Sequence, residues 1–505
     1  MMTSLAAQPP VTAATPKFGG GSTIPTSSHG DAAAKAATDL VGGRQGELSS
    51  ETLPNGVRII VADRPGAAST KIQVGIGAGS MQDPQGKLGQ AHLLEHLAFE
   101  GSPSHTGAQQ EKLRSDMGGI WNAYTNQESI VYYGVVPNKD ATAGASLLTD
   151  MFQHPNLRKD ALEQERAAVK NEIVYRRPYG IDQWEAFNTL VYGADSRANN
   201  IIGTEQSINA ITPKDLKAYH DNYFTGRNTV VLVEGDKRHL PLDTIRTELG
   251  KLPAGGRVDN SGETLTIDKG KAIQVVPGTD TNSVELAVAL PISKDVFDGI
   301  DPTKRRLVAN SITEVLNQRM RRNHDLTYGA FASFSQDDAS DGALLVLETT
   351  VAPDAVRAAT RDMFAIAKDA RDGFGPKTLT EHKKAMISRM QQREPDTEVA
   401  RPQVGDVAEM AFQTALRAPG VELGSLEPVA PKSARAQKAA FTKELNQLRA
   451  VTGKQFADAA SALIDFDDAK VLVVGDATAA DVKGGMRDAG IDTKGLKVLD
   501  PLVRR

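Results

Sequence analysis

The sequence predicts an α+β protein made of two homologous sandwich domains, each an antiparallel-rich sheet packed against helices. Three observations carry that reading. At 505 residues the chain exceeds what one hydrophobic core usually organises, so two or more domains are expected. Ile211-Thr-Pro-Lys-Asp-Leu-Lys-Ala, followed by Thr229-Val-Val-Leu-Val-Glu-Gly-Asp236, recurs without a gap 240 residues later as Val451-Thr-Gly-Lys-Gln-Phe-Ala-Asp and Ala469-Lys-Val-Leu-Val-Val-Gly-Asp476. Each reads as a capped helix, a turn, a buried strand and a Gly-Asp turn. A second pair, Gly56-Val-Arg-Ile-Ile-Val61 and Gly270-Lys-Ala-Ile-Gln-Val275, aligns at an offset of 214, and Lys71 to Val74 matches Glu285 to Val288 at the same offset. Each half therefore opens and closes alike, with domains at about 49–240 and 265–500 and a Pro/Gly-containing linker at 241–264. The second copy holds 240 − 214 = 26 extra residues, for which the Pro/Ala-rich, weakly periodic Ala400 to Lys438 is the expected place.

The composition is that of a soluble globular chain: 40% hydrophobic, 24% charged, with a net charge of −5 that gives no footing for nucleic acid. No apolar run is long enough for a membrane span. The absence of cysteine excludes disulfides, thiol catalysis and Cys-ligated zinc, and leaves His and carboxylates as metal ligands. Residues 1–48 are rich in Ala, Gly, Ser, Thr and Pro and read as a flexible low-complexity lead. Within it Gly19-Gly-Gly-Ser22 lacks the Gly-Lys-Ser/Thr ending of a phosphate-binding loop, so it reads as linker. Met1-Met2-Thr-Ser-Leu-Ala-Ala-Gln-Pro-Pro fits the stub of a removed export signal, which favours the bacterial periplasm or export over the cytoplasm.

From Glu51 the pattern turns to alternating strands, Val57 to Ala62 after an Asn55-Gly56 turn and then Lys71 to Gly75. Next comes Gly89-Gln-Ala-His-Leu-Leu-Glu-His-Leu-Ala-Phe-Glu-Gly101, an apolar, helix-forming run. His92 and His96 stand at i and i+4, so on a helix both imidazoles leave one face, as two ligands of a single metal must. Glu95 sits beside them, where a carboxylate can act as general base toward a water whose pKa a zinc ion lowers. A helix is expected over Gln109 to Met117, a strand pattern over Trp121 to Val136, and helices over 142–153 and 157–177, the last stopped by Pro178. On that last helix Glu163, Glu165 and Glu172 are the candidate further ligands. Glu165 and Glu172 are seven apart and share a face beside the apolar stripe Leu162, Val169 and Ile173. Glu163 reads as part of a solvated charged face. His29 in the lead, His105 in a Ser-Pro-Ser-His-Thr-Gly loop and His154 before a proline at a helix end read as surface positions, and His220, His239, His324 and His382 have no partner at a ligand spacing, so none is assigned to metal.

Leu53-Pro-Asn-Gly-Val-Arg-Ile-Ile-Val, Val74-Gly-Ile-Gly-Ala-Gly-Ser-Met-Gln-Asp-Pro, Gly89-Gln-Ala-His-Leu-Leu-Glu-His-Leu-Ala-Phe-Glu-Gly-Ser and Asn122-Ala-Tyr-Thr occur in order. Together they resemble the pitrilysin or insulinase family of zinc metallopeptidases with the inverted His-x-x-Glu-His motif. Length and layout are similar to its mitochondrial-processing-peptidase-like branch. The resemblance implies a clam-shell half and a Zn²⁺ ion held by His92, His96 and Glu172, the last lying 172 − 96 = 76 residues beyond the second histidine. It implies Glu165 as the group that orients a ligand histidine, and Asn122 and Ala123 as the start of a strand that pairs with extended substrate. Leu316-Asn-Gln-Arg-Met-Arg-Arg-Asn-His-Asp-Leu-Thr-Tyr-Gly329 resembles the family segment with a substrate-binding arginine and tyrosine seven apart, matched here by Arg321 and Tyr328. The family pattern Arg-Glu-Lys-x-Gly-Leu-Ala-Tyr reads Arg-Arg-Asn-His-Asp-Leu-Thr-Tyr in this chain, and Arg322 is the rival for Arg321.

The function expected is zinc-dependent endopeptidase action on peptides or small unfolded polypeptides, with Glu95 and Tyr328 as catalytic groups. The expected partner is a second copy or a related subunit, forming a homodimer or heterodimer around the peptide. The competing class is a non-catalytic structural or partner subunit of the same fold, whose mark is a broken zinc motif, and here the motif is intact.

Overall fold

The computed structural model describes residues 41, 46–176, 183–193, 200–258, 266–277, 282–336, 340–392, 404–417 and 434–499. Pro178, most of the low-complexity lead and much of Ala400 to Lys438 lie outside them. The first half supplies strands β1 (Leu48–Thr52), β2 (Arg58–Asp63), β3 (Ser69–Ile76), β4 (Ile120–Thr125), β5 (Ile130–Pro137) and β6 (Thr229–Gly235). Its helices are α1 (Gln90–Leu97), α2 (Gly107–Met117), α3 (Ala141–Gln153), α4 (Lys159–Arg176), α5 (Gln183–Tyr192), α6 (Glu205–Ala210), α7 (Pro213–Tyr223) and α8 (Leu242–Leu249). The second half supplies β7 (Ala272–Val276), β8 (Val284–Ser293), β9 (Ala330–Gln336), β10 (Gly342–Val351), β11 (Lys470–Val474) and β12 (Lys497–Leu499). Its helices are α9 (Lys294–Gly299), α10 (Pro302–Leu316), α11 (Val356–Arg371), α12 (Pro376–Gln392), α13 (Val404–Arg417), α14 (Ala434–Ala450), α15 (Gly453–Leu463) and α16 (Ala479–Asp488).

Each half forms one mixed six-stranded sheet, ordered β1-β2-β6-β3-β5-β4 and β12-β7-β11-β8-β10-β9. The repeat in the sequence is thus a repeat in space. β2 pairs parallel with β6 as β7 does with β11, and the ladders from β6 to β4 and from β11 to β9 are antiparallel. Helices α7 and α15 begin and end 240 residues apart, each opened by a threonine whose side chain accepts an N–H bond three residues on. The outermost strands break the symmetry, β1 running antiparallel to β2 while β12 runs parallel to β7.

Two readings are revised. Trp121 to Val136 is a hairpin, β4 and β5, turned at Asn126, whose Oδ1 accepts from the N–H groups of Glu128 and Ser129. The stretch taken as linker after Pro241 contains α8, with Ile245 and Leu249 in the first core. Part of the second half's extra length is in α14, which has 17 residues where its counterpart α6 has 6.

The strands alternate strictly between faces, yet both faces are apolar. In the first sheet Ile59, Ile72, Val74, Tyr132, Val231 and Val233 face the core that holds α1, α3 and α7. Ile60, Ala62, Val131, Tyr133, Val230 and Leu232 face the other way. The cover for that outer face comes from the second half. Helix α13 seats Ala408, Ala411, Phe412, Ala415 and Leu416 on it. Reciprocally, α5 of the first half seats Ala186, Phe187, Leu190 and Val191 on the outer face of the second sheet, against Val276, Ala289, Leu344, Val346, Leu472 and Val474.

The α13 contact also carries a buried ion pair. Lys71 on β3, fully buried, places Nζ 2.8 Å from Glu409 Oε2, while Gln73 and Gln413 donate to Glu409 Oε1 at 3.1 and 2.9 Å. Burial alone would push the Glu409 carboxyl up; Lys71, Gln413 and Gln73 outweigh it and hold it below the usual carboxylate range. Lys71→Ala should therefore cost about 3–5 kcal/mol by stranding a buried carboxylate. Denaturant unfolding at neutral pH measures the loss. The loss should shrink as pH falls, because the stranded carboxylate, its pKa now raised, takes up a proton.

Candidate metal centre

Helix α1 has eight residues, too few to be stable alone, and it is fixed from outside. Asp83 accepts the N–H groups of Gly89, Gln90 and Ala91 at 2.8, 3.1 and 2.9 Å, meeting donors that the first turn leaves open. Gly89 has φ 91°, and a Cβ there would stand 2.6 Å from the Ile202 carbonyl oxygen, so both conformation and space require glycine. Gln90 Nε2 bonds the Asp215 carbonyl at 2.8 Å and so ties α1 to α7. The rest of the helix is buried against α4, α7 and β4.

This packing brings His92, His96 and Glu172 together, one ligand atom of each lying within 4.8 Å of the others. His92 Nε2 is 3.7 Å and His96 Nε2 3.4 Å from Glu172 Oε2. In a tetrahedral zinc site with bonds of about 2.0–2.1 Å, ligand atoms stand roughly 3.3–3.4 Å apart, so the Glu172 oxygen stands from both imidazoles at nearly the spacing that a zinc ion needs. Among the described residues it is the one group of three His or carboxylate side chains so arranged.

Glu165, two turns before Glu172 on α4, places Oε2 2.9 Å from His96 Nδ1. Taking the proton on Nδ1 leaves the Nε2 lone pair directed at the cluster. Burial pulls the His96 pKa down, but the bonds to Glu165 and Glu172 and the charge of Glu95 overcome it and push it up to about 10. The field here strongly favours positive charge, which is the second respect in which the residues fit a metal cation. Glu95 is buried, and its Oε2 accepts from the Thr125 hydroxyl at 2.6 Å. Glu163 pairs with Arg166 on the exposed side of α4, as its solvated reading expects.

The other site residues lie apart. Asn122 and Ala123 are on β4, the edge strand beside α1. Arg321 is exposed on a seven-residue π-helical segment, Asn317–Asn323, and Tyr328 is 96% exposed in the turn before β9. Neither makes a hydrogen bond or ion pair to the cluster among the described residues. Asp325, standing where the family pattern has glycine, has φ 52°, a left-handed conformation that aspartate tolerates better than most. Among the other histidines, His105 pairs with Asp150 at 3.3 Å and His324 with Asp362 at 2.7 Å, and His382 is buried.

Two residues of this site escaped sequence reasoning. Thr125 ends the Asn-Ala-Tyr-Thr run, where its position gave the only signal. Asp83 lies seven residues ahead of the first residue of the helix it caps, beyond the window in which a capping residue is sought.

Residues 58–176 match the family described as Insulinase (Peptidase family M16), and residues 210–386 match the Peptidase M16 inactive domain. The chain is 30% identical over 210 residues to the mitochondrial-processing peptidase subunit beta of Blastocladiella emersonii, covering 40% of this chain and 44% of that one. It is 28% identical over 335 residues to an uncharacterized zinc protease of Mycobacterium leprae, covering 63% and 71%. The match therefore spans less than half of the length of the subunit beta. Among solved structures, the periplasmic protease PqqL from Escherichia coli superposes with a TM-score of 0.67 at 18% identity, covering 91% of this chain and 52% of that one. A protease from Helicobacter pylori gives 0.61 at 18% identity, covering 85% and 99%.

The geometry separates the two helix glutamates. Glu172→Gln should abolish tight zinc binding, whereas Glu165→Gln should weaken it by ~10- to 100-fold, the effect expected of a group that orients a ligand. Zinc titration of the metal-free protein against a chromophoric chelator measures both. Unchanged affinity in Glu172→Gln would remove that residue from the ligand set.

Proposed function

Because the chain belongs to the M16 (insulinase) peptidase family, we propose that it is a zinc endopeptidase acting on peptides or small unfolded polypeptides. The observation that carries this reading is the convergence of His92, His96 and Glu172, with ligand atoms within 4.8 Å of one another and Glu95 on the same helix. Zinc held by those three residues would supply a Lewis acid and lower the pKa of a bound water.

The chain's own groups then divide the work. Glu95 takes the proton of the attacking water as that oxygen adds to the peptide carbonyl, and returns a proton to the amine nitrogen as the C–N bond breaks. The Thr125 hydroxyl fixes the Glu95 carboxylate by donating to it. Glu165 keeps His96 in the tautomer that binds metal. The outer edge of β4, unpaired among the described residues, with Asn122 and Ala123, accepts an extended peptide by strand addition, which selects unfolded segments over folded ones. Arg321 on the substrate backbone and Tyr328 on the oxyanion complete the scheme by resemblance. Their exposure, 96% for Tyr328, favours their serving a site shared with a second copy or a related subunit.

Glu95→Gln should keep about one zinc per chain and lose ~10²- to 10⁴-fold in kcat on a fluorogenic peptide. Loss of zinc in that variant would make Glu95 a ligand. Unchanged turnover would sink the mechanism, and a metal-loaded parent that cleaves no peptide would favour a non-catalytic partner subunit. Thr125→Val should lower kcat on the same peptide while the zinc content stays parental, because the base loses the hydroxyl that orients it. For the shared site, mixing inactive His92→Ala with inactive Tyr328→Phe chains should restore part of the activity. Demonstrated subunit exchange without rescue would reject it.

A further inference from the structure

Strand β4, which carries Asn122, Ala123 and Thr125, is an edge strand, and among the described residues β5 is its one ladder partner. A strand held along one edge depends on its side chains for a fixed position. Successive residues of β4 point to opposite faces of the sheet, and two successive residues clamp it on both. On the inner face the Thr125 hydroxyl donates to Glu95 at 2.6 Å. On the outer face Tyr124, 5% exposed, lies in the cluster that α13 covers, and its hydroxyl accepts from Gln413 Nε2 at 2.8 Å. Asn122, next along that face, bonds Tyr133, its cross-strand partner on β5.

The outer clamp belongs to the other half of the chain. Gln413 stands on α13 one turn beyond Glu409, and its amide nitrogen also donates to Glu409 Oε1 at 2.9 Å. Glu409 in turn faces the Lys71 ammonium at 2.8 Å. The Tyr124 hydroxyl is thereby tied, through one amide, to the buried ion pair by which α13 sits on the first sheet. Glu409 meets β3, and Gln413 reaches two strands further, to the edge. Strand addition needs outward N–H and C=O groups at a fixed spacing, so an edge gripped beside Asn122 and Ala123 meets an extended peptide already ordered.

We infer that Gln413 and Tyr124 are positioning residues, through which the second half of the chain fixes the outer edge of β4 for the peptide. This rests on the reading of β4 as the peptide-pairing edge. It gives the second half a part in peptide binding although the metal ligands and the pairing strand belong to the first. Loosening the clamp leaves the metal cluster in place and lets the edge fluctuate, so the effect appears in peptide affinity and not in zinc affinity.

The test measures the Kd of a fluorescein-labelled β-casein fragment by anisotropy in the zinc-loaded Glu95→Gln protein, where turnover is blocked. Gln413→Ala and Tyr124→Phe, which removes the hydroxyl and keeps the buried ring, are added to that background singly and together. Hydrogen exchange is followed at residues 120–125. Each substitution should weaken peptide binding by about 3- to 10-fold, the worth of one hydrogen bond, and should speed exchange in β4 at unchanged zinc affinity. The double variant should lose no more than either single one, because both remove the same interaction. Phe412→Leu is the control: it loosens the same helix over Gly75 of β3, and should keep parental peptide affinity and parental exchange in β4. Additive losses in the double variant would overturn the inference, as would an equal loss in Phe412→Leu. Parental affinity and exchange in Gln413→Ala would overturn it too. Faster exchange with parental affinity would overturn it through its premise, by showing that the peptide does not pair with β4. A parent that binds the peptide and cuts nothing would sink the peptidase reading alone, since none of these measurements uses turnover.

Discussion

Both sheets are apolar on both faces, and neither half has enough helices of its own to cover them. That constraint makes the two halves one object. The inner faces are satisfied locally, by α1, α3 and α7 in the first half and by α10, α11 and α15 in the second. Among the described residues the helices on the outer faces come by exchange, α13 going one way and α5 the other. The exchange is not purely greasy. The Lys71–Glu409 pair, with Gln73 and Gln413, gives the α13 contact a polar register that apolar packing would lack, since a shift of one turn would strand both charges.

The metal cluster is a second accumulation of buried charge, and its logic is the reverse. Around Lys71 the ammonium meets the Glu409 carboxylate directly. Around His96, three carboxylates crowd two imidazoles, and the balance is restored only by positive charge bound there. Such an arrangement costs stability and is kept in place by its surroundings: Asp83 on the helix start, Thr125 on Glu95 and the packing of α4.

Much of this was legible before any coordinates. The constant offsets of 240 and 214 gave the duplicated architecture, because a repeat without gaps leaves equivalent elements in equivalent places. The spacing of His92 and His96 gave one face of a helix, because helical geometry is local. What stayed hidden is what is settled by contacts distant in sequence. Glu409 lies 338 residues from its partner Lys71, and nothing in its neighbourhood marks it as a buried counterion. Thr125 meets Glu95 across the gap between a strand and a helix, and Asp83 caps from outside the usual window. The helix α8 was missed because a Pro/Gly-flanked stretch reads as connection, while Ile245 and Leu249 place it in the core.

The symmetry of the helix exchange bears on how such a chain could arise. Helices α5 and α13 hold the same place in the order of elements, each following the long helix α4 or α12 and preceding the capped helix α7 or α15. A lone ancestral copy with this sequence pattern would have had a bare apolar sheet face and a spare amphipathic helix, each the complement of the other in a twin. Two such polypeptides would have swapped arms into an intertwined pair before any gene fusion joined them. Once joined, the twins no longer needed identical equipment. One could keep the imidazoles and the other lose them, since the arms, rather than the chemistry, were what each owed the other.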